Sequence, residues 1–174
     1  MALYYVTGVS ASGKSTIKKE LQSIGYDAYD TDEDDITAWY NKATMQQTNR
    51  PDNPNDRTKK WIEDHDWMMS ATRVEDLVKT ALNKTVFLCG VTSNQFDFYN
   101  LFAKIFCLKI DQDALKQRLA TRTTNDFGKT PDELASVLIW HIWFEQQNKN
   151  KGAVMIDASQ TIQDIITQIQ ANIK

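Results

Sequence analysis

The apolar residues of this chain fall into short unbroken runs and into longer stretches with helical spacing. Unbroken apolar runs of about four to eight residues are typical of strands that are buried on both faces of a parallel sheet. We predict such strands at Leu3–Val6, Tyr26–Tyr29, Thr85–Cys89, Ala103–Ile110 and Ala153–Ile156. Because helical patterns separate them, the sequence predicts a three-layer α/β/α fold with a five-stranded parallel sheet.

Between the strands, apolar residues recur every three or four positions, as they do on the buried face of a helix. We predict helices after the first strand, through Trp39 and Ala43, over Thr58–Met69, over 74–82, over 111–122, from Thr130 to about Asn148, and after Thr161. The helix at Thr130 begins with a Thr-Pro-Asp-Glu capping box. Its apolar residues, including Trp140 and Trp143, run most of the way round, so we expect burial on more than one side.

Composition and charge place the chain among soluble globular proteins. Its 174 residues are 41 % hydrophobic and 25 % charged, and the net charge is −3. An acidic balance argues against a nucleic-acid-binding protein, which usually carries a basic excess. No apolar run reaches the roughly 18 residues of a membrane span, and no secretory signal pattern is present. We therefore expect one cytoplasmic domain over residues 1–174, as a monomer or homodimer, with Cys89 and Cys107 as buried reduced thiols.

The strongest functional pattern, Gly8-x-x-x-x-Gly13-Lys14-Ser15, lies between the first predicted strand and a predicted helix. Strand, glycine loop and helix in this order are typical of a P-loop, or Walker A motif. Its glycines let backbone N–H groups approach phosphate oxygens closely. We expect Lys14 to reach the β- and γ-phosphates of ATP and the Ser15 hydroxyl to bind Mg2+. The residues expected to contact the nucleotide here are Gly8, Ser10, Ala11, Ser12, Gly13, Lys14, Ser15 and Thr16.

A second group of candidate residues follows the second predicted strand, where five carboxylates stand within residues 30–35. Asp30 and Asp32 are placed beside the P-loop strand. A carboxylate there can hold Mg2+ through water or accept a proton from a substrate hydroxyl, and the pattern leaves both roles open. Glu33, Asp34 and Asp35 have the character of an acidic helix start.

Arg118 and Arg122 stand one helical turn apart, before the polar loop Thr123–Lys129. An arginine that closes over a transferring phosphoryl group is a recurrent part of phosphotransferases. Trp61 and Trp67 can equally be core residues or a substrate wall.

With Gly8–Thr16, Asp30–Asp32 and Arg118–Arg122, the chain resembles the P-loop small-molecule and nucleotide kinases, such as shikimate kinase, gluconate kinase and adenylate kinase. This resemblance implies a sheet order 2-3-1-4-5, an acceptor-binding segment at about residues 33–70 and a lid at about 118–131. It implies that Asp32 is the base or the metal-linked carboxylate, that Arg118 stacks on adenine, and that Arg122 touches the transferring phosphoryl group.

The acceptor motifs of these kinases are not present. Residues 90–95 lack a glycine-rich run, residues 131–147 hold no Lys or Arg, and no acidic residue ends the third predicted strand. The sequence therefore predicts an ATP- and Mg2+-dependent phosphotransferase whose small-metabolite or nucleotide acceptor it does not identify. Arg57 is the first candidate for an acceptor contact. The alternative is a nucleotide-binding regulatory ATPase with slow hydrolysis and no small-molecule acceptor.

Overall fold

Strands and helices alternate along the chain in a computed structural model that describes residues 1–123 and 126–173. The strands are β1 (Leu3–Thr7), β2 (Asp27–Asp30), β3 (Thr37–Asn41), β4 (Gln47–Thr48), β5 (His65–Met69), β6 (Val86–Cys89), β7 (Lys104–Lys109) and β8 (Val154–Asp157). The α-helices are α1 (Lys14–Ser23), α2 (Lys59–Asp64), α3 (Ala71–Ala81), α4 (Gln112–Thr121), α5 (Pro131–Asn150) and α6 (Ile162–Asn172). Short 3-10 helices span Pro54–Asp56 and Gln95–Leu101.

The main sheet is parallel, with the strand order β2-β6-β1-β7-β8. Numbered over the five predicted strands, this is the order 2-3-1-4-5, so the predicted fold is confirmed. The central strand β1 has Val6 opposite Cys89 of β6 on one side and Phe106 of β7 on the other. All three side chains are fully buried because helices cover both faces, which explains why these strands do not alternate apolar and polar residues.

A second, antiparallel sheet of order β4-β3-β5 occupies part of residues 37–69 and was not predicted. The predicted helix through Trp39 and Ala43 is wrong, because Trp39 lies in β3 and pairs with Trp67 of β5. The predicted helix over Thr58–Met69 is correct only for α2, since the chain continues from Asp64 directly into β5. Cross-strand pairs of aromatic residues stabilise a sheet. The Trp39–Trp67 pair is such a contact, and the segment forms strands although its apolar residues also have helical spacing.

Helix α5 begins as its capping box predicts, with the Thr130 hydroxyl accepting a hydrogen bond from the Glu133 amide at 3.2 Å. The expectation of burial on more than one side is wrong. One stripe is buried, while Ile139 is 80 % exposed and Trp143 is 50 % exposed. Trp143 is therefore not a core residue, whereas Trp140 is partly buried against the core.

The prediction for the two cysteines is confirmed, since Cys89 and Cys107 are free and buried.

Among the described residues, no helix is both long and apolar enough to cross a membrane.

Candidate active site

The P-loop connects β1 to α1 at the carboxyl edge of the sheet. Gly8 lies against β7, where a Cβ atom would come within 2.9 Å of the Leu108 carbonyl oxygen. Gly13 caps α1 with a left-handed φ of 111°, a conformation that favours glycine. Both glycines of the motif are therefore required by the backbone, and the amino end of α1 is directed at the space above the loop.

Lys14 lies along the inside of the loop. Its ammonium donates hydrogen bonds to the carbonyl oxygens of Gly8 at 2.7 Å and Val9 at 2.9 Å. Burial lowers the pKa of Lys14 to about 8, although Asp32 and Asp30 attract its positive charge. Burial of the Lys14 side chain therefore favours deprotonation of its ammonium group.

Ser15 and Asp30 form the pair that best fits a magnesium site. The Ser15 hydroxyl donates to Asp30 Oδ2 at 2.9 Å, while Asp30 Oδ1 accepts from the Asp32 amide at 2.9 Å. Asp30 is only 4 % exposed, and burial raises the pKa of its carboxyl. The sequence paired Ser15 with Asp32, but the hydrogen-bond partner of Ser15 is Asp30.

Asp32 has a different environment, because its side chain is exposed at the same edge of the sheet. Its Oδ1 accepts hydrogen bonds from the Thr31 hydroxyl at 2.9 Å and from the Trp67 indole nitrogen at 3.0 Å. The contact with Trp67 was not predicted, since it depends on β5 lying beside the end of β2.

The two arginines of the predicted lid both reach the P-loop. Arg118 donates to the carbonyl oxygens of Ser12 at 3.2 Å and Ala158 at 2.8 Å. Arg122 donates to the Ser10 hydroxyl at 3.0 Å and to the Phe127 carbonyl oxygen. Burial lowers the pKa of Arg122, and its Nε atom is buried without a hydrogen-bond partner.

These groups surround one cavity of about 490 Å³. Its walls combine predicted site residues with Ile17, Val91, Thr121, Ile162 and Ile165, which the sequence did not single out. The predicted residues on the wall are Ser10, Ala11, Ser12, Gly13, Lys14, Ser15, Thr16, Asp30, Asp32, Arg118 and Arg122. Ala158 and Gln160, from the turn after β8, also line it. Gly8 does not line the cavity, and its role is to let the loop backbone pass close to β7.

Four charged residues, which we call the lid clasp, join residues 50–57 to the lid. Arg50 pairs with Asp126 at 2.7 Å and with the fully buried Glu133 at 2.5 Å. Arg57 pairs with the same Asp126 at 2.6 Å. Together the two arginines, Arg57 first, lower the pKa of Asp126 to about 2.

Arg57 is 7 % exposed, and its other donors reach the Pro51 and Asp52 carbonyl oxygens. The guanidinium of Arg57 is thus engaged within the protein, and an acceptor contact of Arg57 stays a prediction that this geometry does not support.

The lid clasp also contacts the backbone segment that binds Arg122. Glu133 Oε2 accepts a hydrogen bond from the Gly128 amide at 2.9 Å, and the Arg50 guanidinium lies 5.3 Å from the Phe127 ring. Phe127 provides the carbonyl that binds Arg122. The clasp thus holds the backbone segment that orients this arginine. Residues 124 and 125 of the predicted lid lie outside the described part of the chain.

Aromatic side chains gather on the small sheet next to Asp32. The Trp39 ring lies 5.3 Å from Trp67 and 4.8 Å from Trp61, which stacks on His65 at 4.5 Å. We call Trp39, Trp61, Trp67 and His65 the tryptophan cluster. Its members are half-buried, and Trp67 connects it to the cavity through Asp32.

Comparison with known proteins agrees with this geometry. The sequence profile described as an AAA domain matches residues 5–162. No curated protein sequence matches the chain significantly.

Similar solved structures include three kinases. A gluconokinase from Sinorhizobium meliloti 1021 has 15 % identity and a TM-score of 0.54, covering 98 % of this chain and 90 % of that one. A deoxyadenosine kinase from M. mycoides with bound dATP has 15 % identity and a TM-score of 0.54, with 98 % and 100 % covered. A shikimate kinase from Bacteroides thetaiotaomicron has 13 % identity and a TM-score of 0.55, with 98 % and 97 % covered. At these identities, the likeness shows a shared fold.

Proposed function

Since the chain belongs to the AAA domain family and shares the fold of P-loop kinases, we propose that it is an ATP-dependent, Mg2+-requiring phosphotransferase. It transfers the γ-phosphoryl group to a small-metabolite or nucleotide acceptor. The observation that carries this proposal is the grouping of Lys14, Ser15, Asp32 and Arg122 around one cavity. Residues 1–174 act as one kinase-like domain, with the acceptor segment at 33–70 and the lid at 118–131.

The phosphate donor, ATP, binds at the P-loop in this proposal. The loop amides and the amino end of α1 bind the phosphates, and Lys14 exchanges its two backbone carbonyl partners for phosphate oxygens. Arg118 lies between the loop and the turn after β8, where Ala158 and Gln160 border the nucleotide base. Arg122 stabilises the negative charge on the transferring group.

Ser15 and Asp30 fit Mg2+, because a hydroxyl and a carboxylate are the hard oxygen ligands that this ion prefers. Ser15 would bind the ion directly and Asp30 through water. When bound, Mg2+ neutralises negative charge on the β- and γ-phosphate oxygens.

Asp32 is the general base in this proposal. Within residues 1–123 and 126–173, both hydrogen bonds to its carboxylate use Oδ1, which leaves Oδ2 to accept the proton of the acceptor hydroxyl. The hydroxyl oxygen then attacks the γ-phosphorus as the bond to the β–γ bridging oxygen breaks, and ADP leaves.

The proposal is tested by measuring ADP production from ATP with a library of small metabolites. We expect turnover that depends on one acceptor class and is lost in Lys14→Ala, with thermal unfolding showing that the variant is folded. Slow ADP production that no metabolite changes would instead support the regulatory ATPase. Near-normal turnover in Lys14→Ala would remove the P-loop from the mechanism.

A further inference from the structure

The tryptophan cluster borders the place where an acceptor must bind. An acceptor hydroxyl has to reach Asp32, and Asp32 Oδ1 is held by the Trp67 indole at 3.0 Å. Trp67 is half-buried, so part of its ring faces outward beside this carboxylate. An acceptor hydroxyl that reaches Asp32 is therefore placed next to this indole.

The position of Trp67 is fixed from several directions. It pairs with Trp39 across the strands, with ring centroids 5.3 Å apart. Its carbonyl oxygen accepts hydrogen bonds from the amide of Ser93 at 2.8 Å and from its hydroxyl at 3.0 Å. Because Ser93 follows β6, Trp67 is joined to the main sheet as well as to the small one. A rigidly held indole gives a flat apolar surface at low entropic cost.

The charges of the acceptor segment disfavour binding of an anion. Residues 33–70 hold eight acidic and five basic side chains. Each basic side chain has an acidic partner within 4 Å, and two of them belong to the lid clasp. The other three are Lys42, Lys59 and Lys60, whose side chains are 45 %, 74 % and 85 % exposed.

The loop after β6, whose Ser93 contacts Trp67, adds no cation, because residues 90–95 contain neither Lys nor Arg. Arg73 of α3 donates a hydrogen bond to the Asp34 carbonyl oxygen at 3.2 Å. A carboxylate or phosphate on the acceptor would thus meet Asp32 and a segment with more acidic than basic side chains, and the repulsion disfavours its binding.

We propose that the acceptor is an uncharged, ring-bearing alcohol, of which sugars and nucleosides are the two sources, and that one face of its ring packs on Trp67. The inference rests on the proposed kinase function and names its substrate class. The indole contributes contact area, while Asp32 receives the hydroxyl proton and supplies the polar contact.

The test uses radiolabelled ATP and four groups of acceptors: neutral sugars, nucleosides, sugar acids, and phosphorylated sugars or nucleoside monophosphates. We expect label transfer to a neutral sugar or a nucleoside, and the two neutral groups distinguish the sources. Transfer mainly to an acid or a phosphate would keep the kinase function and overturn this inference. No transfer to any group, with slow hydrolysis only, would overturn both.

Variants at Trp67 provide the second measurement. Trp67→Ala should raise the KM for the best neutral acceptor about tenfold, since base–aromatic stacking is worth roughly 1–3 kcal/mol and 1.4 kcal/mol is tenfold. The KM for ATP should stay within about twofold. Trp67→Phe keeps a ring, so it should recover most of the loss in KM.

Trp143→Ala is the matched control, because Trp143 is a half-exposed tryptophan on α5 that makes an edge-to-face contact with Phe96 at 6.2 Å. It should leave both KM values unchanged. An unchanged acceptor KM in Trp67→Ala, or an equal rise in Trp143→Ala, would overturn the assignment.

Discussion

At the scale of single residues, Asp30 and Asp32 lie in different environments although one residue separates them. Asp30 is buried and bound to the Ser15 hydroxyl, whereas Asp32 is exposed and bound to Trp67. The sequence placed both carboxylates at this edge of the sheet. It did not separate their roles, because their burial depends on how β2 packs beside β6, which no local pattern encodes.

We expect Asp32→Asn to lower kcat by about 100-fold or more, since general-base catalysis contributes roughly 10²- to 10⁴-fold. Its ATP affinity should change little. Asp30→Asn should instead raise the Mg2+ concentration needed for half-maximal activity. Steady-state kinetics over a Mg2+ titration measure both effects, and a reversed result would exchange the two roles.

The lowered pKa of Lys14 has a consequence for nucleotide binding. The free protein loses the Lys14 proton above pH 8, because burial lowers its pKa to about 8, whereas bound phosphates favour the charged form. Binding therefore takes up a proton above this pH. The dissociation constant for ATP should rise between pH 8 and 9.5, by up to about tenfold per pH unit.

Calorimetry in two buffers of different ionisation enthalpy measures this proton uptake. Lys14→Met is the control, since it should bind ATP weakly with no such dependence between pH 8 and 9.5. A flat profile in the unchanged protein would show that Lys14 keeps its proton.

At the scale of elements, the chain between β2 and β6 shows where sequence reasoning reaches its limit. The central strands β1, β6 and β7 of the main sheet were predicted because burial on both faces leaves a largely apolar run. The edge strands β2 and β8 are only partly buried and were predicted from shorter patterns. β3 and β5 pair with each other, and the positions of Trp61, His65 and Met68 also fit a helix. The structure of this region is determined by pairing between residues that are 24 (Asn41 and His65) to 32 (Thr37 and Met69) positions apart. The roles of Trp61 and Trp67 were consequently left open between core and substrate wall.

The start of α5 is bound to the acceptor segment through Glu133. Glu133→Gln leaves Arg50, whose side chain is 19 % exposed, with Asp126 as its only ion-pair partner among the described residues. We expect the free energy of unfolding to fall by about 3 kcal/mol, as for other broken buried pairs. We also expect kcat to fall, because Phe127 and Gly128 are released and Arg122 loses its orientation.

Urea unfolding and steady-state kinetics measure these two effects. Glu63→Gln is a matched control, since its pair with Lys59 is 3.7 Å long and both side chains are exposed. It should change stability by less than about 0.5 kcal/mol. If kcat were unchanged in Glu133→Gln while stability fell, the lid clasp would have no part in positioning Arg122.

At the scale of the whole molecule, the parallel sheet brings groups from distant parts of the chain to one edge. Residues after β1, β2 and β8 and from α4 line the same cavity. The P-loop and the lid arginines were predicted because their spacing is local. The lid clasp was not predicted, because its ion pairs join residues up to 83 positions apart. The sequence around a charged residue does not show which distant residue of opposite charge it pairs with.

Nucleotide binding should stabilise the whole fold by mass action. ATP at 100 times its dissociation constant adds about 2.7 kcal/mol to the free energy of unfolding, which for a chain of this size is a shift of roughly 5–11 °C in Tm. GTP at the same concentration should give a smaller shift. Thermal unfolding measures both, and equal shifts would show that the base is not selected. The absence of any shift would mean that the P-loop does not bind nucleotide.

The lid clasp also connects the two halves of the reaction thermodynamically. Arg50 and Arg57 lie in the proposed acceptor segment, while Asp126 and Glu133 hold the part of the proposed lid whose Phe127 carbonyl accepts from Arg122. A donor that draws Arg122 inward would therefore pull on the acceptor segment through the same ion pairs. By the closure of a thermodynamic cycle, the factor by which the donor tightens acceptor binding must equal the factor by which the acceptor tightens donor binding. We therefore expect synergy between the two substrates to depend on these four side chains, and loosening any one of them should reduce it equally in both directions.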